Sequence, residues 1–319
     1  MGPALIKEGT MKSRQSFGNK LLITITFAIL LLYSVSILYT LIWGIITSLK
    51  SDIDFASLGN VLGLPRWDYS EKEIKLYNYT YLIDVFKLEV VAKYYSGNTL
   101  ISSRGVYRFP QMIIFSLIYC GGGCIVATLV PCLVAYLVTK FKYKFSKVIY
   151  GTALLIMVLP IVGSEPARLA LLRDLRIYDT FIGEFLMKSS FLGMYFFVFT
   201  AFFEGLSDTY SEAAEIDGAS QFKIMTNIIF PIASKTIATV MLVIFITFWD
   251  DYQSPLLYLP TKPTLAYAVY EIVNGNAKLG IQTSGKIAGC MLLALPILIL
   301  FICLKDKLMG NVTMGGIKE

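Results

Sequence analysis

The chain has 319 residues, 56% of them hydrophobic and 16% charged, with a formal net charge of +6 and no histidine. Soluble domains run near about 45–50% apolar and about 25% charged, so this composition excludes an ordinary soluble globule and points to the bilayer. The basic residues cluster at the ends of apolar runs, so the positive charge is not read as nucleic-acid affinity, and without histidine a His/Cys metal site is not expected.

Residues 1–20 carry Lys12, Arg14 and Lys20 ahead of the first apolar run, 21–49. That run is too long for a signal peptide's hydrophobic region and lacks a clear small-x-small cleavage site, so it reads as an anchor that stays. The segment 50–109 follows. Within it Tyr81, Val85, Leu88 and Ala92 recur as one helical face, which predicts a small helical cap or, failing that, a loop.

A bilayer core of about 30 Å takes roughly 20 helical residues, and five more runs follow, at 111–139, 148–163, 185–206, 235–257 and 286–304. The expected fold class is an all-α polytopic membrane protein with six transmembrane helices. In the second run Gly121, Gly122, Gly123 and Ala127 are small enough to let helix backbones approach in lipid, and Pro131 predicts a kink. All five cysteines (Cys120, Cys124, Cys132, Cys290 and Cys303) fall inside predicted spans, which leaves no extracellular pair for a disulfide.

Lys140, Lys142, Lys144 and Lys147 crowd the stretch after the second run, and Lys305 and Lys307 follow the last. By the positive-inside rule these segments and the N-terminal one are cytoplasmic, which puts both termini inside, 50–109 outside and 207–234 inside. The less apolar stretch 160–181 then lies at the outer surface. Its Glu165, Arg168, Arg173, Asp174 and Arg176 fit either an interfacial helix or the mouth of a pathway.

The cytoplasmic stretch 207–234 reads as two short helices joined at a glycine. Thr209 and Glu212 have the spacing of a capping box, Gly218 permits the turn that ends a helix, and Ser220 is a fair N-cap for the next. Pro231 is expected to bend the chain toward the fifth span.

"EAAEIDGASQFKIMTNIIFP" resembles the signature of permease subunits of binding-protein-dependent ABC importers: Glu-Ala-Ala, three residues, Gly, nine residues, Ile-x-Leu-Pro. The matching positions are Glu212, Ala213, Ala214, Gly218, Ile228 and Pro231, with Phe230 where leucine is usual and Asp208 where a proline usually precedes the motif. "FWDDYQSPLLYL" resembles a Trp-Asn-Glu-Phe block, with Asp250 and Asp251 replacing its polar pair. "LMGNVTMGGIKE" is similar to the Gly-rich tail of the carbohydrate, maltose-permease-like branch.

The resemblance implies a type I permease core at 110–304, with an ATPase-coupling loop at 207–234 and a cytoplasmic tail at 305–319. It implies that the helix around Ala213–Gly218 docks on a nucleotide-binding subunit, with Glu212 or Asp217 available to an arginine there. The implied partners are a homologous second permease, two ATP-binding cassette ATPase subunits, an extracellular solute-binding protein and a carbohydrate. No glycine-rich motif ending Gly-Lys-Ser/Thr occurs, so ATP and Mg belong on the partner ATPases. No catalytic residue and no cofactor are expected in this chain.

Trp249, Asp250, Asp251 and Tyr252 are the candidate substrate-pathway residues, because carboxylates beside aromatic faces suit sugars; an interfacial aromatic belt is the competing reading. Glu165, Arg168 and Arg173 are weaker candidates. A permease for a peptide, glycerol phosphate or polyamine, an intramembrane enzyme and a non-transporting scaffold are the alternatives.

Overall fold

The computed structural model describes residues 17–57, 59–66, 76–96, 99–141, 143–159, 163–274 and 281–312. Lys12 and Arg14, Lys142, the Pro160 end of the third predicted run and the last residues of the Gly-rich tail lie outside them.

The first helix, α1 (Phe17–Ser48), is apolar all round and exposed along most of its length, as a lipid-facing span must be. Its end is held by Lys50, whose ammonium donates to the carbonyls of Asn60 (2.6 Å) and Val61 (3.1 Å). After a π turn at Ile53–Ser57 come α2 (Tyr77–Thr80) and a second π turn, Tyr81–Val85. An antiparallel hairpin follows, β1 (Lys87–Ser96) and β2 (Thr99–Arg108), with Leu88 opposite Tyr107 and Val90 opposite Gly105.

This hairpin corrects two expectations, the helical face through Ala92 and the purely α fold. From Lys87 onward the period is two: Leu88 and Val90 are buried, while Lys87, Glu89 and Val91 are exposed. The buried side packs Leu88 and Val90 with Leu82, Phe86, Met112, Ala268, Ile272 and Ala288.

The central helix is α3 (Phe109–Lys140), which runs unbroken through the buried Pro131. After it come α4 (Lys144–Val158), α5 (Glu165–Asp174), α6 (Phe181–Lys188) and α7 (Met194–Glu204). The polar stretch forms α8 (Thr209–Ile216) and α9 (Gln221–Ile224). A π turn at Met225–Ile229 leads from there into α10 (Phe230–Trp249). Finally come α11 (Gln253–Tyr258), α12 (Leu265–Asn274) and α13 (Thr283–Val312).

Packing centres on α3, against which α7 and α10 lie. Phe196, Phe199 and Phe203 of α7 meet Ala135 and Tyr136 of α3 and Val240 and Ile244 of α10 in one buried cluster. The glycines of α3 make this closeness possible. A Cβ on Gly122 would fall 2.2 Å from the Phe185 ring, and one on Gly123 would fall 3.1 Å from Phe248.

Among the described residues, four helical stretches are long and apolar enough to cross a membrane: Gly18–Ser48, Phe109–Lys140, Gln221–Trp249 and Thr283–Cys303. The other two predicted runs are shorter as helices. The run 148–163 corresponds to α4, whose 15 residues rise only roughly 22 Å. The run 185–206 is divided between α6 and α7 by non-helical backbone at 189–193, where two serines and a glycine interrupt the apolar sequence.

Candidate functional site

Two constructions stand out, one at each end of the α3 bundle. At the end bearing the lysine-rich stretch, α8 starts without the expected capping box. Asp208 is the N-cap and makes no side-chain cap bond; Thr209 is already helical, its hydroxyl 2.6 Å from that of Ser207. The Asp208 carboxylate is instead bound by Lys140, 2.9 Å away at the end of α3.

The end of α8 is more strongly specified. Gly218 N–H donates to Glu215 O (3.0 Å) and Ala219 N–H to Ala214 O (2.9 Å), the paired bonds of a Schellman turn, with Gly218 at φ +77°. Ser220 then caps α9, accepting from Lys223 N–H at 3.4 Å, and Gln221 reaches back to Glu215 at 2.8 Å.

Of the residues singled out in the sequence, Glu212, Ala213, Asp217 and Gly218 are exposed, whereas Ala214 is buried in the cluster with Tyr136, Phe203 and Ile224. Ala214 therefore seats the helix on this cluster. Ile228 is half-buried in the π turn, and Pro231 opens α10, its missing N–H falling in the first turn. Phe230 lies edge-on to Tyr136, ring centroids 6.3 Å apart. The two most exposed apolar side chains here, Ile216 (87%) and Phe222 (72%), flank Gly218 and were not picked out in the sequence.

The second construction is a charged cluster between α3, α6 and the end of α10. Lys188, the last residue of α6, lies 3.2 Å from Glu184 Oε1 and 3.5 Å from Asp251 Oδ2. Tyr119 of α3 donates its hydroxyl to Asp251 Oδ2 at 2.6 Å, and Ser254 N–H donates to Oδ1 at 3.0 Å. The Lys188 ammonium also sits 3.9 Å from the ring centre of Phe248.

A cavity of about 500 Å³ opens beside this cluster, lined by Glu165, Arg168, Glu184, Lys188, Tyr252, Tyr258 and Tyr270 among others. Its walls are pinned. Leu265 N–H, at the start of α12, donates to Ser116 Oγ on α3 at 2.7 Å. Asp179, held at φ +59° between α5 and α6, accepts from Thr261 and Lys262, while its N–H donates to Tyr258 O at 3.1 Å. Tyr258 donates to Glu165, and burial together with that carboxylate pushes its phenol pKa up.

The four predicted pathway residues separate. Asp251 enters the charged cluster. Tyr252 stacks on Tyr270, centroids 4.4 Å apart and 10° from parallel. Asp250 is exposed and lines a second, mostly apolar cavity of about 780 Å³. Trp249 is buried, stacked on Phe245 with its indole N–H donating to Leu293 O at 3.0 Å, so it holds α10 to α13. Glu165 and Arg168 line the smaller cavity; Arg173 turns away onto the Tyr178 ring, 5.2 Å from its centre.

Residues 127–309, more than half of the chain, match the family described as the binding-protein-dependent transport system inner membrane component. The chain belongs to this family. The permease is 25% identical over 224 residues to the trehalose transport system permease protein SugB of Mycobacterium tuberculosis, covering 67% of this chain and 80% of that relative. It is 24% identical over 208 residues to the melibiose/raffinose/stachyose import permease protein MelC of Bacillus subtilis, covering 64% and 74%. In fold it is similar to a chain from the crystal structure of a bacterial ABC transporter involved in the import of the acidic polysaccharide alginate. The TM-score is 0.68 at 20% identity, over 91% of this chain and 98% of that one.

Family and long apolar helices together make the permease a multi-pass protein of the bacterial cell membrane. Glu184, Lys188 and Tyr119 of the charged cluster were not singled out in the sequence. The available signal was an acid and a base four residues apart, Glu184 and Lys188, at the edge of an apolar run where charge is costly.

Proposed function

We propose that this permease forms one half of the translocation pathway of an ATP-driven importer for an oligosaccharide. It pairs with a homologous permease and rests on two ABC ATPase subunits that hold ATP and Mg. An extracellular binding protein delivers the solute. The chain crosses the membrane six times, α4 and the broken α6–α7 segment serving as the short crossings, with 50–109 outside and 207–234 and both termini inside.

The observation that carries the reading is the rigid α8–Gly218–α9 element. It is fastened to α3 through Asp208 and Lys140 and presents Glu212, Ala213, Ile216, Asp217, Gly218 and Phe222 outward. An ATPase that moved this element would move α3 and, through the π turn, α10. The carbohydrate assignment is supported by relatives named for trehalose and for melibiose, raffinose and stachyose, and by hydroxyl-binding carboxylates and tyrosines around the cavity that Tyr252 lines.

The test is reconstitution of the permease with its partner permease, ATPases and binding protein in vesicles. Uptake of labelled neutral oligosaccharides is expected only with Mg and ATP on the ATPase side; ATP-independent uptake, or none for any sugar, would sink the proposal.

A further inference from the structure

We infer that the cavity between α5, α6, α11 and α12 is a binding subsite of this chain for one uncharged glycosyl unit, with Glu184 as its buried hydroxyl acceptor and Tyr270 and Tyr252 as its stacking wall. The inference rests on the importer reading above and deepens it.

Glu184 supplies the first observation. Its side chain is 2% exposed; Oε1 is spent on Lys188, and Oε2 has no hydrogen-bond partner among the described residues. A buried carboxylate oxygen left unpaired costs a large share of its hydration, so a site that keeps one has a use for it. Glu184 also lines the 500 Å³ cavity, whose volume falls within the range of small-ligand sites, about 300–1,000 Å³.

The second observation is the aromatic wall. Tyr252 and Tyr270 are locked face to face, and both line this cavity. A flat, rigid phenol surface beside hydroxyl acceptors matches a sugar ring, which offers C–H bonds on its faces and O–H donors around its edge. Glu165 adds a second carboxylate, already oriented by Tyr258.

Charge decides between a neutral and an acidic sugar. Of the two cations lining the cavity, the largely buried Lys188 is shared by Glu184 and Asp251, and Arg168, half exposed, lies 3.5 Å from Glu165. The buried atom left without a partner in this lining is an acceptor, Glu184 Oε2. A uronate would bring a second carboxylate against it whereas a hydroxyl donates to it, so at Glu184 the subsite favours O–H donors over acidic units.

The test uses the complete reconstituted transporter and labelled trehalose, raffinose and maltotriose, with an alginate trisaccharide as the acidic probe. Uptake is read as initial rate per ATP hydrolysed. Glu184→Gln and Tyr270→Ala are each expected to lower it at least tenfold for the transported neutral sugar and to change the ratio of rates between two neutral sugars. Tyr270→Phe keeps the stacking face and is expected to retain at least half of the rate. A wild-type transporter that moves none of the saccharides overturns the carbohydrate reading and the subsite with it. A wild type that moves a neutral sugar, with rates and ratios unaltered in Glu184→Gln and Tyr270→Ala, overturns the subsite alone. Uptake of the acidic trisaccharide at the neutral rate overturns the charge assignment.

Discussion

Lys188 lies 3.5 Å from Asp251, so the last residue of the short α6 is tied to the carboxylate just past the end of α10. The side chains are only 12% and 20% exposed. In such surroundings a pair stabilises little relative to an apolar replacement, yet removing one partner strands the other charge at a cost of about 3–5 kcal/mol. Lys188→Met, which strands both Glu184 and Asp251, is therefore expected to lower the thermal midpoint of the purified permease sharply, whereas Asp251→Ala leaves Lys188 paired with Glu184 and should cost less. Tyr119→Phe, which removes one hydrogen bond to the same oxygen, should cost about 1 kcal/mol. The discriminating measurement is the triple variant Lys188→Met with Asp251→Leu and Glu184→Met, which leaves none of the three charges behind. It should be more stable than Lys188→Met alone, and the reverse order would refute the charge-stranding account.

Gly218→Asp is expected to insert and fold while abolishing ATP-coupled uptake. A Cβ there meets nothing within 4 Å, so the intramolecular penalty is the left-handed backbone at φ +77°, roughly 1–2 kcal/mol. Empty space around Gly218 within this chain is where a docked subunit can approach. Gly218→Ala carries a similar backbone penalty without the charge and should keep more uptake than Gly218→Asp. Equal ATPase stimulation and uptake in wild type and Gly218→Asp would remove α8 from the coupling role.

The Lys140–Asp208 pair should matter more to coupling than to stability. Its side chains are 20% and 70% exposed, and exposed pairs are worth about 0–1 kcal/mol. Asp208→Lys is thus expected to shift the thermal midpoint little but to reduce uptake per ATP, since it repels the α3 end from α8. Exchanging the two residues, Lys140→Asp with Asp208→Lys, should recover part of the ratio. If the exchange recovers none of it, the pair is not the fastening between α8 and α3.

How far the sequence disclosed this architecture depends on the range over which each feature is decided. Gly218 and Ser220 were legible because a Schellman turn and an N-cap are settled within about six residues. The capping box at Thr209 failed because Asp208 is held by Lys140, 68 positions away. For the hairpin, Tyr81, Val85 and Leu88 fit a helical period, and the β-branched, period-two run takes over only from Lys87. Asp250 and Asp251 look equivalent in sequence, yet one lines a cavity and the other meets Tyr119, 132 positions earlier. No local pattern encodes that separation.

The glycine run of α3 offers the sharpest test of packing, because its members differ. A methyl on Gly122 would enter the Phe185 ring at 2.2 Å, whereas one on Gly121 meets nothing within 4 Å. Overpacking of this kind costs about 1–3 kcal/mol, so Gly122→Ala should lower the thermal midpoint while Gly121→Ala leaves it near wild type. Adding Phe185→Leu to Gly122→Ala makes room for the methyl and should recover part of the loss, giving a non-additive cycle. Equal effects at Gly121 and Gly122 would mean that α3 and α6 do not meet where the structure places them.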